Sequence, residues 1–289
     1  MGKVRIVTDS TACFEDPNFV ADYGITVVPL NIHFSDQIYR DGVDISAEEM
    51  FQRMRHARIQ PYITPPPISD FEEVYKELNK TTDQIVVILH SQQFTETFAR
   101  AQAARMSLLG RCEIAVIDSQ NTSVAMGYLI QAVVEAIETG ADIEEVVRIA
   151  RGIVPRLYSI YYVDSLDTIQ RSGLIGRTQA ILGAMLEIKP ILTIEDGTLI
   201  TMEKARTHSQ AIEKIIEFIA EFTHCERLSI LQNTTRITDR TRMLQDRLAL
   251  EFSRVQAPVL LYEPLMATLI GPDALGVAIL EGSGKDIIP

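Results

Sequence analysis

The sequence predicts an α/β protein of two domains, the first with a mostly parallel sheet flanked by helices, the second with a mixed sheet. Three observations carry this. In the first half, short β-branched runs alternate with stretches of helical periodicity, the pattern of parallel strands joined by helical crossovers. Those runs are continuously apolar, as strands buried on both faces are. In the second half, Asp196-Gly197 stands between two apolar runs, a short-range hairpin signal. The two patterns meet near residues 140 to 157, which gives domains at 1–152 and 153–282 and a tail at 283–289.

Four strands are expected first, "RIVTD" (5–9), "ITVVPLNIHF" (25–34), "QIVVILH" (84–90) and "EIAVIDS" (113–119). Ser46 and Glu49 form a capping-box pattern ahead of Met50, Phe51 and Met54. Phe71, Val74, Tyr75 and Leu78 fall at helical spacing, as do Met126, Leu129, Ile130 and Val133. "RDGVD" (40–44) reads as a turn or small hairpin, and "QPYITPPPISD" (60–70), extended by its prolines, as a loop. In the second half "LYSIYYVD" (157–164), the two arms of "KPILTIEDGTLITMEKAR" (189–206), "LSILQN" (228–233), "APVLLYE" (257–263) and "LGVAILEG" (275–282) read as strands. "AIEKIIEFIAEF" (211–222) sets Ile212, Ile215, Ile216 and Ile219 on one helical stripe.

The chain has 289 residues, 46% hydrophobic and 23% charged, which suits a compact protein with a sizeable core. A net charge of −12 argues against a general nucleic-acid footprint. Cys13, Cys112 and Cys225 are odd in number and far apart, which fits a reducing cytoplasm rather than a disulfide framework. No apolar run approaches the ~20 residues of a membrane helix, so no integral membrane segment is expected.

The chemistry-bearing residues gather at strand ends. The first strand ends in Thr8, Asp9, Ser10 and Thr11, the third in His90 and Ser91, the fourth in Asp118 and Ser119. Open α/β sheets bind ligands beyond the carboxyl ends of their strands, where helix N-termini and hydroxyls suit a carboxylate or phosphate. Each end taken singly is also an ordinary N-cap pattern. Asp9 lacks the second carboxylate that metal-assisted phosphoryl transfer would need two residues later. No G-x-G-x-x-G follows the first strand, and "EGSGKDIIP" has Asp286 where a phosphate loop needs Ser or Thr. No histidine pair has zinc-ligand spacing, so no metal or other cofactor is expected. His90 and Ser91 are adjacent on a strand and point to opposite faces, which argues against a dyad between them. Ala180 to Leu186 is apolar or small all round. It reads as a helix in the core, the commoner case, or as one lining an apolar cavity, with Met185 an adaptable wall.

The motifs "VTDSTACF" (7–14), "ITPPPISDF" (63–71), "LHSQQFTETFARAQAA" (89–104), "VIDSQNTSVAMG" (116–127), "LDTIQRSGLIGRTQAILGAMLEIKPILTIEDG" (166–197), "EKAR" (203–206) and "GPDALGVAI" (271–279) occur in this order. Together they resemble the DegV family of bacterial fatty-acid-binding proteins, which includes the lipid-binding subunit of bacterial fatty acid kinase. The resemblance runs from about Val4 to about Gly282. It implies a non-catalytic protein whose ligand is a long-chain fatty acid, its carboxylate near the domain junction and its acyl chain buried. It also implies a partner, an ATP-dependent kinase that phosphorylates the presented carboxylate.

Carried over by position, Thr64 matches the threonine of the family's T-S-Q-P stretch. Ser91 matches the first serine of S-S-x-L-S-G-T, and Gln92 and Thr95 its second and third. These four are the expected carboxylate ligands, with Thr8, Asp9, Ser10, Asp118 and Ser119 shaping the cleft. Ile181, Leu182, Met185 and Leu186 would line the acyl pocket, and Arg206 and Arg177 would face the head group or the kinase. The chain departs from the family at Pro65-Pro66-Pro67, Gln92, Glu96, Leu174, Leu269 and Asp273. Several of these positions are ones that would meet the phosphoryl group or kinase, so lipid binding is better supported than kinase partnership. The alternative readings are a phosphoryl- or acyl-transferring hydrolase using Asp9, and an interaction module whose ligand is structural.

Overall fold

The computed structural model describes residues 3–57, 60–164, 166–171, 188–252 and 256–283. They form two compact units, one from residues 1–46, 61–155 and 196–198, the other from 47–60, 156–195 and 199–289. The division is therefore not a single cut in the chain.

The first unit is built on four parallel strands, β1 (Arg5–Asp9), β2 (Thr26–Val28), β6 (Gln84–Leu89) and β7 (Glu113–Asp118), in the order β2-β1-β6-β7. Every residue of β6 is buried, as expected of a central strand covered on both faces. Val7, Ile85, Val87 and Leu89 pack with Phe71, Tyr75, Ala101 and Ala104, which come from α3 (Ile68–Leu78) and α4 (Thr97–Ala104). Helices α5 (Ser123–Glu138) and α6 (Ile143–Ile153) also pack against β6. The α6 N-cap is Asp142, whose carboxylate accepts the Glu145 N–H at 2.9 Å. A Cβ on Gly127 of α5 would lie 2.0 Å from the Cys13 carbonyl oxygen. Only glycine therefore lets the segment after β1 settle on this helix.

Two readings of the sequence are corrected here. Residues 25–34 are not one strand. The run breaks at Pro29, and only β2 joins the parallel sheet, while β3 (Asn31–Phe34) joins a separate antiparallel sheet ordered β4-β3-β5. Proline has no N–H to give a ladder and fixes its own φ, which suits a change of sheet. Residues 60–70 are not all loop either. Tyr62–Thr64 forms β5 against β3, with β4 (Gln37–Arg40) on the other side, and α3 begins at Ile68, directly after the prolines.

The second unit carries a mixed six-stranded sheet, ordered β10-β9-β8-β13-β11-β12. Its strands are β8 (Leu157–Tyr162), β9 (Lys189–Glu195), β10 (Thr198–Ala205), β11 (Cys225–Gln232), β12 (Val259–Leu261) and β13 (Leu275–Glu281). The β9–β10 hairpin turns at Asp196 and Gly197, with φ of 48° and 78°, the two left-handed residues of a type I′ turn. The predicted isoleucine stripe is on α8 (His208–Ala220) and packs on Ile160, Ile191, Ile230 and Val277 of the sheet. Helix α2 (Ala47–Ala57) belongs to this unit, with Phe51 against Tyr262 at 5.2 Å between ring centroids. Helix α7 (Leu166–Arg171) packs on α10 (Pro264–Ile270), and α9 (Asp239–Glu251) packs on α8.

Candidate functional site

In the first unit β2 lies on one side of β1, and β6 on the other. The strand order thus reverses between β1 and β6, the switch point where open α/β sheets hold ligands. The parallel register pairs Thr8 with Ile88, which brings the ends of the two strands level.

Asp9 and His90 meet there, both with no solvent exposure. Asp9 Oδ2 accepts the His90 backbone N–H and ring Nδ1–H, each at 2.9 Å. Asp9 Oδ1 accepts the Thr11 N–H at 2.9 Å and the Thr11 hydroxyl at 2.7 Å. Burial alone would push this carboxyl up. The charge and ring hydrogen bond of His90, the Thr11 hydroxyl and the His90 N–H outweigh burial and hold it below its ordinary value. On the far side of the ring, His90 Nε2 is 2.8 Å from Thr95 Oγ1. Thr95 Oγ1 in turn lies 2.7 Å from Thr97 Oγ1 and accepts the Thr97 N–H at 3.2 Å. A relay of Asp9, His90, Thr95 and Thr97 therefore runs from the sheet to the N-terminus of α4.

Asp9 is not placed to attack a substrate. Its two oxygens accept four hydrogen bonds, the full capacity of a carboxylate, and it has no exposed surface. The strand-end aspartate is a buried anchor.

Ser91 is buried beside this relay. Its hydroxyl donates to the Gly197 carbonyl oxygen at 2.6 Å and accepts the Gln93 N–H at 3.2 Å. A Cβ on Gly197 would lie 2.5 Å from Ser91 Oγ, so this approach requires glycine. The Ser91 N–H reaches the Asn121 carbonyl at 2.8 Å. Ser119 closes the same loop, donating to the Asn121 carbonyl at 3.0 Å. Asp118 Oδ1 accepts backbone N–H groups from Gln120 at 2.9 Å and Gln92 at 3.3 Å. Its burial is the larger influence and pushes its carboxyl up. The side chain of Gln92 is exposed and Thr95 is half-buried.

Thr64 is the last residue of β5, and its hydroxyl is 2.8 Å from His33 Nε2. Arg100 of α4 donates to the carbonyls of Pro65 and Pro66 at 3.1 and 3.2 Å, which ties the segment after Thr64 to α4. Ser10 turns elsewhere, donating to Asp41 Oδ2 at 2.7 Å. Thr8 is fully buried, and its hydroxyl has no hydrogen-bond partner among the described residues. Arg206 is an exposed residue of the second unit, directly after β10. Arg177, Ile181, Leu182, Met185 and Leu186 lie outside the described residues.

The structure thus links Asp9 to Thr95 through His90, and Gln92 to Asp118 through the backbone. The sequence reading missed His90 and His33 as partners of the candidate hydroxyls. The available signal was that the first and third strands both end in polar residues at one end of a parallel sheet.

A second carboxylate cluster is in the second unit. Asp164, just beyond β8, accepts from Lys189 Nζ at 2.9 Å and from Arg240 Nη1, and His208 Nδ1 lies at 3.4 Å. The Tyr162 hydroxyl is 3.1 Å from His208 Nδ1. Burial lowers His208 and, with Lys189 and Arg240, outweighs the opposing pull of Asp164. Among the described residues no group of three or more His, Cys, Asp or Glu could hold a metal, and no helix is long and apolar enough to cross a membrane.

Residues 3–282 match the family described as "Uncharacterised protein, DegV family". A DegV domain-containing protein of Caldanaerobacter subterraneus subsp. tengcongensis is 36% identical over 219 residues, 76% of this chain and 77% of that protein. A Thermus thermophilus structure, described as fatty acid binding of a DegV family protein, superposes with a TM-score of 0.84 at 27% identity, covering 97% of this chain and 100% of that one. A Thermotoga maritima structure described as a DegV lipid-binding protein gives 0.80 at 25% identity, covering 96% and 99%.

Proposed function

The chain belongs to the DegV family, and from that premise we propose that it binds a long-chain fatty acid and presents its carboxylate to an ATP-dependent kinase in the cytoplasm. The observation that carries the reading is the Thermus thermophilus relative, described as fatty-acid-binding and alike over nearly the whole of both chains. The carboxylate is held by Thr64, Ser91, Gln92 and Thr95. The hydroxyls around the switch point support this, because a buried carboxylate is costly unless hydrogen-bonded. The acyl chain lies along Ile181, Leu182, Met185 and Leu186, with about 0.8 kcal/mol for each CH₂ removed from water. Arg206 and Arg177 face the head group or the kinase.

Such a protein performs no covalent step itself. Its work is to desolvate the tail, fix the head group and leave one carboxylate oxygen accessible to the phosphoryl donor. The filled hydrogen-bond shell of Asp9 supports this reading over a hydrolase that uses the same residue. Native mass spectrometry of the purified protein, before and after incubation with hexadecanoate, tests the proposal. A mass increase equal to one fatty acid is expected. A chain that neither carries nor takes up any acyl ligand overturns it.

A further inference from the structure

The candidate head-group hydroxyls differ in what they already hold. A hydroxyl has one hydrogen to donate, and an ionised carboxylate only accepts. Ser91 has given its hydrogen to the Gly197 carbonyl oxygen across 2.6 Å. Thr95 Oγ1 stands among His90 Nε2, the Thr97 hydroxyl and the Thr97 N–H. Thr64 Oγ1 has one neighbour among the described residues, His33 Nε2 at 2.8 Å. Whether Thr64 can serve a carboxylate therefore turns on this one contact.

The small antiparallel sheet builds the contact. In the β3–β5 register Asn31 faces Thr64 and His33 faces Tyr62. Ile32 and Phe34 of β3 are buried, so His33 is on the opposite face of the strand. Thr64 is its diagonal neighbour there, within reach of a long side chain. The imidazole stacks on Tyr62, with ring centroids 4.4 Å apart and planes 8° from parallel. The stack holds the ring plane, and Nε2 is aimed at Thr64. The Thr64 backbone is fixed as well, by the β5 ladder and by Arg100 on the next two carbonyls. What is left free at Thr64 is the rotation of its side chain and hydroxyl, and the imidazole limits both.

An imidazole with one ring hydrogen carries it on Nδ1 or on Nε2. Among the described residues nothing bonds His33 Nδ1 and fixes the choice, whereas His90 Nδ1 faces Asp9 at 2.9 Å. With the hydrogen on Nε2, His33 donates to Thr64 Oγ1, and the hydrogen of Thr64 is left for a ligand. We propose that His33 is a positioning residue for the head group: stacked on Tyr62, it donates from Nε2 to Thr64, fixes the threonine rotamer and leaves the Thr64 hydroxyl as a donor to the ligand carboxylate. This rests on the fatty-acid reading and adds to it which hydroxyl is ready for the ligand and what aims it. Thr64, unlike Ser91, breaks no bond to the chain in doing so. His33 acts through Thr64 rather than on the ligand.

The test is calorimetric titration with decanoate of the wild-type chain and of variants shown by thermal melts to be folded. Thr64→Val weakens binding about ten- to hundredfold, the worth of a hydrogen bond to a charged group. His33→Phe keeps a ring against Tyr62 but has no nitrogen, and weakens binding about fivefold. His33→Gln places an amide N–H where Nε2–H stood and recovers most of that loss. In a Thr64→Val background His33→Phe has no further effect, because the ring acts only through the hydroxyl. Nitrogen-15 NMR of the wild-type imidazole, which needs no variant to fold, shows the hydrogen of His33 on Nε2 in the decanoate complex. Unchanged affinity in Thr64→Val or His33→Phe, His33→Gln as weak as His33→Phe, or a bare Nε2 in the complex overturns the proposal while leaving fatty-acid binding intact. No binding of decanoate or hexadecanoate by the wild-type chain overturns the fatty-acid reading and this proposal with it.

Discussion

Each unit of the molecule organises a cluster around one aspartate, and the two solve the problem of a partly desolvated carboxylate in opposite ways. Asp9 is fully buried and accepts two backbone N–H groups, a hydroxyl and one imidazole. Asp164 keeps 30% of its side chain exposed and faces two permanent cations, Lys189 and Arg240. In the first case short hydrogen bonds of fixed direction replace water. In the second, opposite charge does much of that work and water the rest. A cluster of the first kind is specified atom by atom and can hold a proton in a defined place. A cluster of the second kind tolerates rearrangement and responds to ionic strength.

The largest expected effect separates the two directly. Asp9→Ala strands a buried ring and three further donors, and should cost about 3–5 kcal/mol of unfolding free energy. Asp164→Ala leaves cations that can turn to water, and should cost about 1 kcal/mol. Urea denaturation reads both, and equal costs would erase the distinction.

Acid titration comes next. The Asp9 carboxyl is lower in the folded chain than its reference of 3.8. Its contribution to stability is therefore complete above about pH 4 and lost as pH falls through the folded value. Asp118 is raised, so its sign is opposite: it favours the folded state at low pH, and that advantage is lost as pH rises through its folded value. Asp9→Asn should flatten the acid limb of stability against pH, and Asp118→Asn should leave that limb steeper. A limb unchanged in Asp9→Asn would show that other acids dominate it.

The smallest effect is salt. Raising ionic strength from about 0.1 to 1 M shortens the screening length from about 10 to 3 Å. The cost of Asp164→Ala should shrink by about half, while that of Asp9→Ala stays within error. Parallel salt dependence would mean that solvent reaches Asp9.

Much of this architecture can be read along the chain, because the signals are local. "QIVVIL" is apolar without a break and is a strand buried on both faces. Asp196-Gly197 supplies the two left-handed residues that its hairpin needs. Ile212, Ile215, Ile216 and Ile219 repeat at the helical period and face a sheet. The readings that failed are those where a local pattern served a distant partner. "ITVVPLNIHF" looks like one strand, but its halves pair with different sheets. Tyr62–Thr64, beside three prolines, becomes a strand because β3 offers it an edge.

The candidate site divides along the same line. That polar residues end the first, third and fourth strands is plain in the sequence, and strand-end geometry makes them worth examining. Which of them meet depends on register. Asp9 and His90 are 81 residues apart in the chain, and a one-residue slip between β1 and β6 would move the imidazole to the other face of the sheet. By itself the sequence determined the parallel strands, the hairpin and the amphipathic helices, since each follows from periodicity over a few residues. Only the tertiary structure decided that Asp9 is an anchor rather than an attacking group, and that the Thr95 hydroxyl lies against the ring of His90. Hydrogen bonds are directional and short, and the partners they join are chosen by packing between strands that the chain keeps far apart.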